Sequence, residues 1–96
     1  MSYELNEKLI SEMLEEIKGE QHPIEDDEIL KGYIKDAEYD INYQSGKKID
    51  YTTDLDAKRL LKNYVLYARF ARLSEFKQLY EGDYVDLQAK YTATII

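Results

Sequence analysis

The side chains able to do chemistry are few, and their spacing is poor for it. His22 is the sole histidine and no cysteine is present. A His-dependent triad, a multi-histidine metal site, a thiolate nucleophile and a disulfide are therefore all excluded. Asp50, Asp54 and Asp56 in "DYTTDLD" have the alternation of calcium ligands. They lack the central glycine and the distal bidentate glutamate of an EF-hand loop, so they read as helix-capping acids. The glycines at 19, 32, 46 and 82 are isolated, so no loop can cradle a phosphate. Paired carboxylates recur in "LEEI" and "EDDE", but acid–base work needs a pocket that a small helical bundle hardly offers. The expectation is a protein that is not an enzyme, with no catalytic residues, no metal and no cofactor.

The elements that would position these groups are legible from periodicity. Leu5, Leu9, Met13 and Ile17 recur every four residues with Ile10 and Leu14 beside them, which predicts a helix over residues 3–18 closed by Lys18-Gly19. "EQHPIE" is a connection. Asp26 or Asp27 then caps a second helix whose apolar stripe is Leu30, Ile34, Ala37 and Ile41, with Ile29 and Tyr33 alongside. Gly32 inside it predicts close packing, and Ser45-Gly46 ends it.

Thr53 and Asp56 have capping-box spacing, and from there to Tyr80 no glycine or proline intervenes. A long third helix follows, with Leu60, Leu61, Tyr64, Val65, Ala68 and Ala71 on one face. Within it "YVLYARFARL" carries charge only at Arg69 and Arg72. A helix apolar most of the way round needs cover on more than one side, from its own chain or from a second subunit. Gly82 ends this helix and Asp83 caps a short fourth one. The last residues, "KYTATII", are rich in strand formers. The fold expected is an all-α bundle of three main helices, a short C-terminal helix and an extended C-terminal tail. It forms a single domain over 1–96, with 1–90 as the helical body and 91–96 as the tail.

Net charge is −7, and it is unevenly spread. Residues 1–28 hold ten acids against Lys8 and Lys18, whereas residues 52–96 hold six acids and seven bases. That balance argues against nucleic-acid binding, which needs basic surface to replace released counterions. It suits copies meeting head to tail, and equally it keeps a small protein in solution. Ten tyrosines in 96 residues suit surfaces that are part wet and part dry, or simply cover a small core. No run has the roughly 18 apolar residues of a membrane span, and the N-terminus lacks the basic flank of a signal peptide. A soluble protein made inside a cell is expected.

The order of an acid-capped helix "DDEILKGYIKDAEYDINYQSG", a loop with acids and threonines, and a long helix "DAKRLLKNYVLYARFARLSEFKQLYEGDYVDLQAKY" resembles the tailed-bacteriophage head–tail connector (adaptor) proteins that dock on the portal. The shared features run from Asp26 through Gly46 and from Leu60 through Tyr80, and the resemblance spans roughly residues 4–91. The linker "GEQHPIEDD" is longer than the family's tight turn. The resemblance implies a structural virion protein, made in the host cytoplasm and placed at the head–tail interface. Such a protein joins a homo-oligomeric ring of about twelve subunits under the portal by heterologous contacts. It offers a platform to the next tail-neck protein and extends a channel through which DNA passes without specific binding. It also implies that Tyr91, Thr92, Ala93, Thr94, Ile95 and Ile96 form a portal-binding arm. The residues themselves leave open a frayed terminus or a strap folded back over the chain's own core. For the subunit interface, Arg69 and Arg72 are expected to meet a neighbour's acids, and Tyr64, Tyr67 and Phe70 to form the apolar part of that seam. The alternative reading is a small intracellular helical regulator that binds and sequesters a protein partner.

Overall fold

A computed structural model describes residues 6–92, and these form five helices: α1 (Glu7–Gln21), α2 (Asp27–Ser45), α3 (Leu55–Arg69), α4 (Leu73–Leu79) and α5 (Glu81–Thr92). The all-helical class is as expected; the number and limits of the helices are not. Among the described residues no helix is long and apolar enough to cross a membrane.

Helix α1 starts where the Asn6 side chain accepts hydrogen bonds from the Lys8 and Leu9 amides at 2.9 and 3.4 Å. It runs past the predicted stop at Gly19. His22 takes the left-handed conformation (φ 49°) and its N–H closes onto the Lys18 carbonyl. Leu9, Ile10, Met13, Leu14 and Ile17 are buried, so this part of the apolar stripe read from the sequence is the face that packs; Leu5 lies outside the described residues.

Helix α2 lies at the centre and touches α1, α3 and α5. Asp26 caps it through the Ile29 amide (3.0 Å), and Asp27 and Glu28 add favourable charge in the first turn. Its end is a Schellman motif: the Gly46 and Lys47 amides return to the Tyr43 and Asn42 carbonyls, with Gly46 left-handed at φ 68°. Gly32 has no neighbour within 4 Å of an added Cβ, so the close packing predicted there is absent.

The loop into α3 is anchored by buried side chains. Ile49 and Tyr51 pack into the core, and Asn42 Oδ1 accepts from the Ile49 amide (3.2 Å) and the Tyr51 hydroxyl (2.9 Å). Asp54, not Thr53, is the cap of α3 and accepts from the Ala57 amide at 3.0 Å. The predicted capping box fails because Thr53 instead closes a turn onto the Asp50 carbonyl.

The predicted long third helix is broken. Phe70, Ala71 and Arg72 form a sharp elbow, with the Ala71 and Arg72 amides returning to the Ala68 and Tyr67 carbonyls at 3.1 and 2.9 Å. This is again a Schellman motif, but alanine holds the left-handed position at φ 56°. Folding α4 back places Phe76, fully buried, between Tyr64, Tyr67, Tyr80 and Tyr84, with ring centroids 4.8–6.1 Å away. Gly82 lies inside α5 rather than ending a helix.

The extended tail is corrected in part. Tyr91 and Thr92 belong to α5, and the Tyr91 hydroxyl donates to Asp54, which Lys90 also reaches at 2.9 Å. Ala93, Thr94, Ile95 and Ile96 lie outside the described residues.

Candidate interaction surface

The elbow between α3 and α4 gathers apolar side chains that the core does not take. Phe70 and Leu79 are 60% and 68% exposed, and together with Leu66, Tyr67, Arg72 and Glu75 they line a groove of about 270 Å³. The α1–α2 connection abuts the same end through Arg69. Within it, Ile24 is 97% exposed, an apolar side chain entirely in water.

Arg69 joins the two segments. Its guanidinium bonds the Glu25 carboxylate through Nε at 3.0 Å and the Gln21 side-chain oxygen through Nη1 at 3.1 Å. The same group lies 5.1 Å from the centre of the Phe70 ring, and its side chain is only 6% exposed. Partial desolvation works to raise the Glu25 carboxyl. Its own backbone N–H and Arg69 outweigh that, and the group is held below the usual carboxylate range. The sequence reading assigned Arg69 to a neighbour's acids, but the structure engages it with Glu25 and Gln21 of its own chain. The intervening residues hid this partnership, since nothing local marks a pair 44 positions apart.

The other predicted interface residues divide. Tyr64 is buried and meets Phe76 edge-on, so it belongs to the core. Tyr67 is half-buried, with its ring against Phe76 and Tyr80 and one side on the groove. Phe70 is exposed on the rim. Arg72 is exposed and forks onto Glu75 one turn ahead. That contact raises the Arg72 guanidinium and lowers the Glu75 carboxyl.

Three apolar residues of this end of the molecule were not singled out from the sequence: Ile24, Leu66 and Leu79. For Ile24 a signal existed, since an isoleucine directly after proline in an acidic connection has no helix face on which to hide. Leu66 and Leu79 gave none, because their exposure follows from the elbow. In one continuous helix they would occupy ordinary positions on the rod.

Elsewhere the surface mixes exposed apolar side chains, among them Ile29, Tyr39, Tyr43, Leu55 and Val85, with ion pairs between helices. Glu16 bridges Lys58 (2.8 Å) and Lys62 (3.1 Å), and Glu20 also meets Lys62 (2.7 Å), which fastens α1 to α3. Among the described residues no cluster of histidine and carboxylate side chains could hold a metal ion. The arrangement at the elbow offers adhesion: apolar contact, an aromatic edge, and a guanidinium–carboxylate pair at its rim. Comparison with protein-family models, with curated proteins and with solved structures finds no match to this chain.

Proposed function

We propose that the protein is a head–tail connector subunit of a tailed bacteriophage: a structural virion component that joins a ring beneath the portal, binds the portal and the next tail-neck protein, and extends the DNA channel. One observation carries the reading of an assembly protein, the exposed apolar side chains Phe70 and Leu79 on a groove that Leu66 and Tyr67 also line. Side chains this exposed, close together and beside a guanidinium, resemble the core of a contact with another protein. The kind of assembly comes from the sequence resemblance alone, whose long third helix is divided into α3, α4 and α5 in the structure.

A ring needs one patch to meet a different patch on the neighbour. The elbow is the apolar patch of such a pair, and its counterpart is a different surface of the next copy. The residues at 93–96 are the arm that reaches the portal. Tyr91 and Thr92, being helical, anchor that arm rather than belong to it.

The test mixes the full chain with the portal ring encoded beside it and measures co-sedimentation. Two variants are run in parallel: a chain ending at Thr92, which keeps the Tyr91–Asp54 contact, and full-length Phe70→Asp. Loss of binding by the shortened chain identifies residues 93–96 as the arm. Retained portal binding by Phe70→Asp, with failure to add further subunits, assigns the elbow to ring closure. No binding by the full-length chain to an intact portal overturns the proposal and favours the sequestering regulator.

A further inference from the structure

Helix α2 buries polar atoms beneath a segment that is itself mostly in water. Glu38 is 2% exposed, and among the described residues Glu38 Oε1, Asn42 Nδ2 and Ser45 Oγ are buried without a hydrogen-bond partner. The three residues are four and three positions apart, so they form one stripe of the helix. Buried polar groups are ordinarily bonded, and orphans regain hydrogen bonds when water reaches them. A row of them therefore lowers the cost of a local opening at that place.

The segment joins α2 to α3. Lys47, Lys48, Asp50, Thr52 and Thr53 are exposed, and only Ile49 and Tyr51 turn inwards. Both are tied to the stripe through one atom: Asn42 Oδ1 accepts from the Ile49 amide at 3.2 Å and from the Tyr51 hydroxyl at 2.9 Å. Thr52 and Thr53 bond within the segment, to Asp50. Glu38, this segment and α1 together wall a cavity of about 410 Å³. Charged and titratable groups reach it from α1 (Lys8 and Glu12) and from the segment (Lys48, Asp50 and Tyr51). Asp40 of α2, Asp54 and Tyr91 of α5 are near enough to Tyr51 to act on its hydroxyl electrostatically. Lys48 attracts Glu38 without bonding its enclosed oxygen.

We propose that residues 47–53 form a pH-sensitive latch, closed over neutral Glu38 and released from α2 when that carboxyl ionises, while the helices stay packed. The proposal is independent of the connector reading. An enclosed carboxylate oxygen without a donor is far costlier charged than neutral, and the charge is relieved by removing the weaker cover. Helix α1 is held by five buried apolar side chains and by Glu16 and Glu20 on Lys58 and Lys62. The segment is held by two inward side chains that share one acceptor, so it yields first. Burial pushes the Glu38 carboxyl up to about 7, with Lys48 opposing. A pKa raised above the ordinary 4.5 means that the closed state keeps a proton which the open state releases. The latch is thus tightest below pH 4.5 and loosens as pH rises to 7.

The experiment measures amide hydrogen exchange by NMR on the full chain, with protection taken relative to an unstructured chain at the same pH. The Ile49 amide reports the latch, and the amide of Val65, buried in α3, reports unfolding of the whole. Expected is weaker protection at Ile49 than at Val65, insensitive to urea well below the unfolding midpoint. That protection should fall about twentyfold between pH 5.5 and 7.5. In Glu38→Gln it should stay level over the same range; Glu38→Met repeats the test should the glutamine variant not fold. Level protection in the wild type, or the same fall in the neutral variant, overturns the proposal. So does Ile49 protection equal to that of Val65 with the same urea dependence, which would mean that only global unfolding uncovers Glu38.

Discussion

The two halves of the molecule are held together by different physics. Helices α1, α2 and α3 meet through side chains with almost no exposure: Ile10, Ile17, Leu30, Ile34, Ile41, Leu61 and Val65 are all at 0%. The α4–α5 half buries Phe76, Tyr84 and Leu87 and is then fastened by two polar clasps. In one, Asp40 on α2 accepts from the Tyr84 hydroxyl at 2.6 Å and from Lys77, whose ammonium sits 4.7 Å from the centre of the Tyr84 ring. In the other, Asp54 accepts from Tyr91 and Lys90. Each clasp is an aspartate that takes a tyrosine hydroxyl and a lysine together. The first half resists disruption by area, which is spread over many residues. The second depends on one aromatic anchor and two carboxylates, so single substitutions should separate it from the first.

The largest such effect is expected at Phe76. Phe76→Ala removes the ring around which four tyrosines pack, and should cost about 3–5 kcal/mol in urea unfolding. Amide exchange should show α4 and α5 losing protection while α1–α3 keep theirs. Uniform loss of protection would mean that the halves are one cooperative unit, and the contrast drawn here would fail.

The next effect belongs to Glu38, the polar exception inside the apolar half. Its folded pKa of about 7 lies above the ordinary 4.5, so the native state holds a proton that the unfolded chain has released. The group's contribution is full below pH 4.5, declines as pH rises from 4.5 to 7, and is lost above that. Over this window the wild type should lose about 3 kcal/mol relative to Glu38→Gln. Parallel stability–pH curves for the two proteins would show that the carboxyl is not buried as described.

Smaller changes separate the clasps. Tyr84→Phe removes a hydrogen bond to a partly buried carboxylate and should cost about 1.5–3 kcal/mol. Tyr91→Phe, nearer the end of α5 where Lys90 remains to hold Asp54, should cost about 1 kcal/mol. An equal or reversed pair of values would place the stronger fastening at the C-terminal end. The least effect is at the elbow. Glycine at 71 relieves a left-handed alanine that costs roughly 1 kcal/mol, but it adds about 0.5 kcal/mol of unfolded-chain entropy. Ala71→Gly should therefore raise stability by about 0.5 kcal/mol in thermal unfolding.

That elbow also explains how much of the molecule could be read from its sequence. The ends of α2 and α3 use the same Schellman motif. At Gly46 the sequence announces it; at Ala71 nothing does, because alanine is the best helix former and sits where the geometry is least suited to it. Tertiary burial of Phe76 decides the break. The apolar stripes of α1 and α2 and the Asp26 cap were legible because they are local. The stop at Lys18-Gly19 was misread because His22 supplied the left-handed residue three positions later. Of the residues expected at an interface, Phe70 and Arg72 are exposed. Arg69 and Tyr64 are committed within the chain by partners that the primary structure does not place beside them.

The second clasp has a mechanical consequence. Tyr91 and Lys90, the last fastenings of α5, both grip Asp54, and Asp54 is also the residue that caps α3. A pull on the C-terminus is thus transmitted sideways, from the end of one helix to the beginning of another. The contact at Asp54 lies at the root of α3, next to buried Tyr51 and Ala57. Traction on the end of α5 would therefore load these two contacts, and with them the cap of α3, before the rest of the helix.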